Sequence, residues 1–535
     1  MKEKVKQFFS DHYRAITIVS IISSFIVLSG TIFVLNYLNT NPENNNSNNH
    51  NPTSDSDVFN GYNLFVLERK RRDNNSRSLE LLITDMDGGV IVSKPYTEKP
   101  LGLDVYPVEL FNTTTVLLGA EDGAVLWNFF TNVTLDLNFK GHHDLEYNAN
   151  NNTFFTMSWF STEMPDGHKY GFDRIHEYDW QGNVKWSLNT RDFVNTSWWC
   201  PYKDMYTGER RDLTHGNTVF YESDEDVIYY LSRNCNTFFK IDHNTKEIIW
   251  ALGEYGDFNL FDLHGNTRDH LFFHAHSVEK IDNNTFILFD NDMHNQTKRD
   301  NHRSRIVELV VDETSMTAQE SWAWIAPEEY YSDIWGDADR LPNGNRLGTF
   351  GTQTHPNTDI GPRLVEVNAS GDIVWELNFP TTEEYWYGIY RMERFRFTPT
   401  INFTDWTTTT NDVTVNWQTW YNFRTKHPVQ GSYEIYLDDL LIKNDSHMFN
   451  KWWLPSTLTV TLDQLSPGVH NVTAIIADEG GNFATNTVTI QIAASYVLLR
   501  DGPTIIELAV SDKRFHGILF IFSALFQTFA LLFCV

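Results

Sequence analysis

The stretch "RLVEVNASGDIVWEL", residues 363–377, reads as a strand, a tight turn and a second strand carrying a tryptophan near its end. Apolar residues alternate with polar ones on both sides of Asn-Ala-Ser-Gly, the period-two pattern and turn chemistry of an antiparallel hairpin. The same ending returns as "GAVLW" to Trp127, "GNVKW" to Trp186, "KEIIW" to Trp250 and "AQESW" to Trp322. An earlier segment, "LLITDMDGGVIV" from Leu81, keeps the layout without the tryptophan. A recurrence of roughly fifty to seventy residues suits four-stranded propeller blades with loop insertions. The units fall at 58–100, 101–135, 136–190, 205–255, 270–325 and 330–380, which makes six. Each blade should pack on its neighbours, with ring closure hiding the edges and the tryptophans forming inter-blade core.

Residues 399–495 change character, with strands such as "DVTVNWQTW" and "TLTVTLDQL" at regular intervals and no clustered ionisable groups. That pattern reads as an immunoglobulin-like sandwich serving as a spacer or adhesive module. Ahead of the propeller, residues 15–38 carry no charge and are long enough to span a bilayer. Lys2, Lys4, Lys6 and Arg14 in the basic tail, residues 1–14, keep the N-terminus cytoplasmic. An Asn-rich stalk follows at 39–57. The expected fold class is therefore all-β: a six-bladed β-propeller over 58–398, then an immunoglobulin-like β-sandwich, behind an N-terminal transmembrane helix. A linker, 496–516, leads to a second apolar run at 517–535 that is a candidate second span.

With everything after the anchor outside the cell, sequons at Asn112, Asn132, Asn195, Asn295, Asn368 and Asn471 are candidate glycosylation sites. Cys200 and Cys235 could pair as a disulfide there, or stay as two buried thiols. The net charge of −29 argues against a nucleic-acid partner, which needs a basic surface. Homo-oligomerisation is left open.

Histidines recur at one place in the repeat. His143 in "HDLEYNANNNTFF" and His276 in "HSVEKIDNNTFIL" each precede an Asn-Asn turn, and His215 opens the next unit, "HGNTVFYESDED". In the sixth unit Gly336 takes this place. Equivalent positions on innermost strands converge on a propeller axis, so the three imidazoles should line one funnel. His274 shares that face if the strand starts early, or belongs to the incoming loop. Arg233 and Arg305 lie near strand ends, where a guanidinium fork would suit a tetrahedral oxyanion group. His355 follows a Gly-punctuated strand in the sixth unit.

Residues 140–395 resemble the arylsulfotransferase family of extracytoplasmic propellers. The resemblance rests on an ordered set of pieces: "HHDLEYN", "THGNTVFYESDEDVIYYLSRN", "HAHSVEK" with "FILFDND", "SRIVELVVD", "WGDADRLPNGN" and "YRMERFRF". It implies nucleotide-independent transfer of a sulfuryl group from an aryl sulfate donor to a phenolic acceptor, with no cofactor. His215 and Asn217 match the H-x-N motif, His276 the histidine ahead of the F-D-N strand, and Arg305 the arginine of the S-R motif. His355 is the expected nucleophile, with His143, Arg233 and His274 as substrate-binding residues. Two other readings remain. One is a non-catalytic ligand-binding propeller, because this fold hosts many functions. The other is a tri-histidine metal site, which a neighbouring arginine disfavours.

Overall fold

The structure, a computed structural model, describes residues 58–95, 105–120, 123–200, 210–293, 302–351, 361–408, 412–463 and 465–492. The expected anchor, stalk and second span lie outside these residues, as does His355. No helix among the described residues is long and apolar enough to cross a membrane.

The regular structure is almost entirely strand, and the chain clusters into two compact units. The first holds six antiparallel sheets. Their innermost strands are Val105–Asn112, His142–Asn148, Gly216–Glu222, His276–Lys280, Asp337–Arg340 and Tyr385–Phe395. Each of these strands touches the next, and the last returns to the first, so they form a closed, propeller-like cycle. Five sheets use consecutive strands. The sheet closing the cycle instead pairs the late strand Tyr385–Phe395 with the early strand Tyr62–Arg71. Arg394 locks this closure, donating to Asn63 Oδ1 at 2.6 Å, the Phe59 carbonyl at 2.6 Å and Glu366 at 3.1 Å.

The turns that open several of the outermost strands are made by local chemistry. Asp85, Asp179 and Asn368 accept backbone N–H bonds from residues two to four further on, the Asx-turn geometry. Gly182 and Gly371 sit at φ 80° and 87°, a conformation available to glycine without steric penalty. The tryptophans then bind one sheet to the next. Trp186 Nε1 donates to the His243 carbonyl, Trp322 Nε1 to that of Ala369, and Trp375 Nε1 to that of Met86. A cation of the following sheet covers each indole: Lys246 on Trp186, Arg346 on Trp322 and Arg394 on Trp375.

The second unit contains a three-stranded sheet, Thr400–Thr408, Asp412–Trp420 and Ser456–Asp463. It also contains a four-stranded sheet, Val429–Leu437, Leu440–Phe449, Gly468–Ala477 and Phe483–Ile492. Along Ser456–Asp463 every second residue is buried, the signature of a strand with one wet face.

Candidate functional site

The innermost strands of four successive sheets begin with a break in register: Val105/Val108, His142/Leu145, Gly216/Thr218 and His276/Glu279. A bulge re-aims the side chains at a strand's start, and bulges gather beside functional sites. Left-handed backbone accompanies them at His143 (φ 59°), His215 (φ 47°), Ser277 (φ 52°) and Trp335 (φ 59°). Such non-glycine residues hold strain that the surrounding structure must impose. The repeat thus bends the chain at one level of the ring, where the histidines collect.

His143 and His215 face each other with ring centroids 4.7 Å apart, and Trp159 lies 5.3 Å from His215. Tyr390, from the closing strand, sits 6.2 Å from His143 and 6.0 Å from His276.

Each imidazole is oriented through Nδ1. Asp212 Oδ2 lies 2.5 Å from His215 Nδ1, so that nitrogen carries the proton. Asn291 donates from Nδ2 to the carbonyls of Ser332 and Trp335, which turns Oδ1 toward His276 Nδ1 at 2.6 Å. His143 Nδ1 meets His142 Nδ1 at 2.8 Å, and His142 Nε2 lies 3.1 Å from Asp173 Oδ1 in a bent contact. With His142 protonated toward Asp173, its Nδ1 accepts from His143. All three site histidines therefore present Nε2 as a lone pair.

Burial holds His143 well below the ordinary histidine range, helped by the charges of His215, His142, His276 and Arg233. Burial does the same at His276, with Arg233 the next cause. Both rings are neutral near neutral pH. Asp173 is opposed by burial, yet bonds from His142, Thr214 and Tyr230 keep its pKa below the usual carboxylate value.

Arg233 is buried, its pKa lowered to about 10 by burial and supported by Asp333. One nitrogen, Nη1, reaches Asn234 Oδ1 at 3.2 Å, whereas Nε makes no hydrogen bond among the described residues. Asn217 is buried below this group, its Nδ2 donating to the Ala275 carbonyl at 3.3 Å. His274 precedes the inner strand and belongs to the incoming loop, its amide held by Asn236 Oδ1 at 2.8 Å.

Arg305 departs from the expected place. Its guanidinium binds Asp290 Oδ2 at 2.7 Å, Glu320 Oε1 at 2.9 Å and the Leu271 carbonyl at 2.6 Å. Asp290 and Glu320 lie on the flanking strands of its own sheet and Leu271 on the loop leading into the inner strand, and there Arg305 lines a cavity of about 440 Å³ with Leu271, Phe273, Arg303 and Ile325. Arg233 is the guanidinium whose charge acts on both His143 and His276, with Arg391 acting on His276 as well. A second correction concerns the cysteines: Cys200 and Cys235 form no disulfide. Cys235 is buried and bonds the Leu213 carbonyl at 3.3 Å, and burial pushes its thiol up to about 12, an inert state.

Residues not singled out from the sequence complete the group: Trp159, Asp173, Asp212, Asn291, Tyr390 and Arg391. For His142 the signal was adjacency to His143, and for Tyr390 and Arg391 the "YRMERFRF" piece. The described residues contain no set of three or more His, Cys, Asp or Glu arranged to hold a metal ion.

Comparison with known proteins places this site in a family. The family model described as Arylsulfotransferase (ASST) matches residues 107–391, more than half of the chain. No curated protein matches the sequence significantly. Similar solved structures include Hsv2 of Kluyveromyces lactis, at 8% identity over 62% of this chain and 99% of that one, with a TM-score of 0.29. Another is the dihydro-heme d1 dehydrogenase NirN, at 10% identity over 77% of each chain, with a TM-score of 0.29. Likeness at this level carries no argument.

Proposed function

Since the chain belongs to the arylsulfotransferase family, we propose that it moves a sulfuryl group from an aryl sulfate to a phenol through a sulfohistidine, on a six-bladed β-propeller followed by an immunoglobulin-like sandwich. The family match supports sulfotransferase-type chemistry. The observation that carries the finer reading is a set of neutral imidazoles presenting Nε2 beside a buried arginine whose Nε makes no hydrogen bond among the described residues.

A neutral imidazole Nε2 attacks sulfur, the N–S bond forms, and the S–O bond to the ring breaks with its electron pair leaving on the phenolate. Arg233 stabilises charge on the sulfuryl oxygens, as guanidinium groups do in phosphoryl transfer. A second histidine takes the proton of the incoming phenol, whose oxygen then attacks sulfur and breaks the N–S bond. In the next cycle that imidazolium gives its proton to the departing phenolate, so protons balance over two turns. His355 and His276 are the candidate nucleophiles, and His215 and His143 the proton carriers. The role first expected of Arg305 passes to Arg233.

We further propose that residues 15–38 anchor the protein, with the propeller and sandwich outside the membrane. Protease added to intact cells should then digest residues 58–495 and spare the N-terminal tail.

The test uses the full chain with a chromogenic aryl sulfate and an added phenol. Acceptor-dependent phenolate release is expected. After an alkaline quench, one sulfuryl group should be found on the peptide containing His276 or that containing His355. A protein that binds several donors yet neither turns over nor gains mass would instead favour the ligand-binding propeller.

A further inference from the structure

The residues Asn422–Lys426 lie in sequence between two strands of the second unit, yet they cluster with the first. The Arg396 amide fixes them, donating to the Asn422 carbonyl at 2.6 Å. Arg424 enters a ring of carboxylates contributed by innermost strands. Its guanidinium lies 2.7 Å from Glu393, 3.2 Å from Glu279, 3.4 Å from Asp339 and 3.6 Å from Glu109. Lys426 reaches Glu146 at 2.7 Å and Glu109 at 4.0 Å, and stands over the Phe220 ring at 5.5 Å. Every one of the six sheets therefore contacts one of these two cations.

Two of its members share a strand with a site histidine, Glu146 with His143 and Glu279 with His276. Glu279 is three residues beyond His276, about 10 Å along a strand. Between the two levels Arg391 bonds Asp144 at 2.6 Å and the Asn217 carbonyl at 3.0 Å. Burial raises the carboxyls of Glu146, Glu279, Asp339 and Glu393, and ionised without a counter-charge the five carboxylates would set a negative potential along these strands. One uncompensated charge about 10 Å away, at an effective dielectric of about 20, weakens an anion's binding roughly tenfold.

We infer that Arg424 and Lys426 are the resident counter-charge of this channel: they cap its carboxylate end and so let the histidine end accept an anionic group. Both lie beyond residues 107–391, the part matched by the family model. They are positioning residues, acting on the anion through the carboxylates they neutralise. The anion arm of the inference rests on the reading of the histidine end as a sulfuryl site, whereas the counter-charge arm stands apart from it.

Calorimetry on the full chain tests both arms without turnover. In the first, wild type should take up no calcium, whereas Arg424→Gln with Lys426→Gln should take it up, a divalent cation replacing the two lost charges. In the second, sulfate should bind Arg424→Gln roughly tenfold more weakly than wild type, and Arg424→Lys should recover most of that loss. A folded double variant that takes up no calcium overturns the inference. So does a folded Arg424→Gln that binds sulfate as wild type does, or an Arg424→Lys that loses as much. If these variants do not melt cooperatively, Lys426→Gln decides alone, with several-fold weaker sulfate binding expected and an unchanged Kd overturning. Wild type binding no sulfate would tell against the sulfuryl site itself, and the calcium arm would then decide the inference.

Discussion

At one level of the channel His143, His215 and His276 present lone pairs around an arginine whose Nε finds no hydrogen bond among the described residues. Further along the innermost strands Glu109, Glu146, Glu279, Asp339 and Glu393 close around Arg424 and Lys426. Both levels are buried and built from equivalent strand positions, so fold and depth do not distinguish them. Partner supply does. The histidine Nδ1 atoms are held from behind by Asp212, Asn291 and His142, which sets the tautomer of each ring. The carboxylates instead meet cations in front, while one oxygen each of Glu109, Glu279 and Asp339 makes no hydrogen bond among the described residues. Burial then acts in opposite senses, lowering histidine pKa values and pushing Glu146 up to about 8 and Glu393 up to about 7.

The contrast can be broken at either level. His276→Ala removes a lone pair without opening an ion pair, so transfer should fall about 10²–10⁴-fold while the melting temperature stays close to wild type. Arg424→Ala should do the reverse in stability, because removing one partner of a buried ionic group costs about 3–5 kcal/mol. Chemical denaturation reads that loss. Asn291→Ala keeps every imidazole but frees the tautomer of His276, and steady-state kinetics should show a roughly tenfold loss in kcat, the scale of one good hydrogen bond.

The smallest effect is the most diagnostic of charge. With His143 and His276 depressed, the catalytic form survives acidification until pH falls well below the ordinary histidine value of 6.5. Arg233→Gln removes a cation that disfavours their protonation, so the acid limb of kcat/KM should move up toward that value. A limb that stayed in place would show that burial alone sets these pKa values.

How much of this was legible beforehand follows from where the information lies. The all-β architecture shows in the alternation of strands and in the turn–strand–tryptophan unit, because both are local and the indoles of Trp186, Trp322 and Trp375 meet a neighbouring turn. The histidines show because a repeat places them in register. Arg233 and Arg305 look alike in sequence, each near the end of a strand. What separates them is cross-strand: Asp290 and Glu320 flank Arg305, and no spacing rule reveals that pairing. The disulfide expectation failed for a similar reason, since sequence proximity says nothing of where each sulfur points. Arg424 carries no local signal at all. Its partners lie on four strands spread from Glu109 to Glu393, and only the folded ring brings them together.

Closure of that ring by Tyr385–Phe395 has a consequence for the order of biosynthesis. The first described strand, Tyr62–Arg71, waits for the last described strand of its unit before its inner edge is paired. Tyr390 and Arg391 arrive on that same late strand, one beside His143 and His276 and the other beneath them. The histidine cluster is thereby completed only when that strand arrives: a chain cut short before Tyr385 would hold His143, His215 and His276 without Tyr390 and Arg391 beside them.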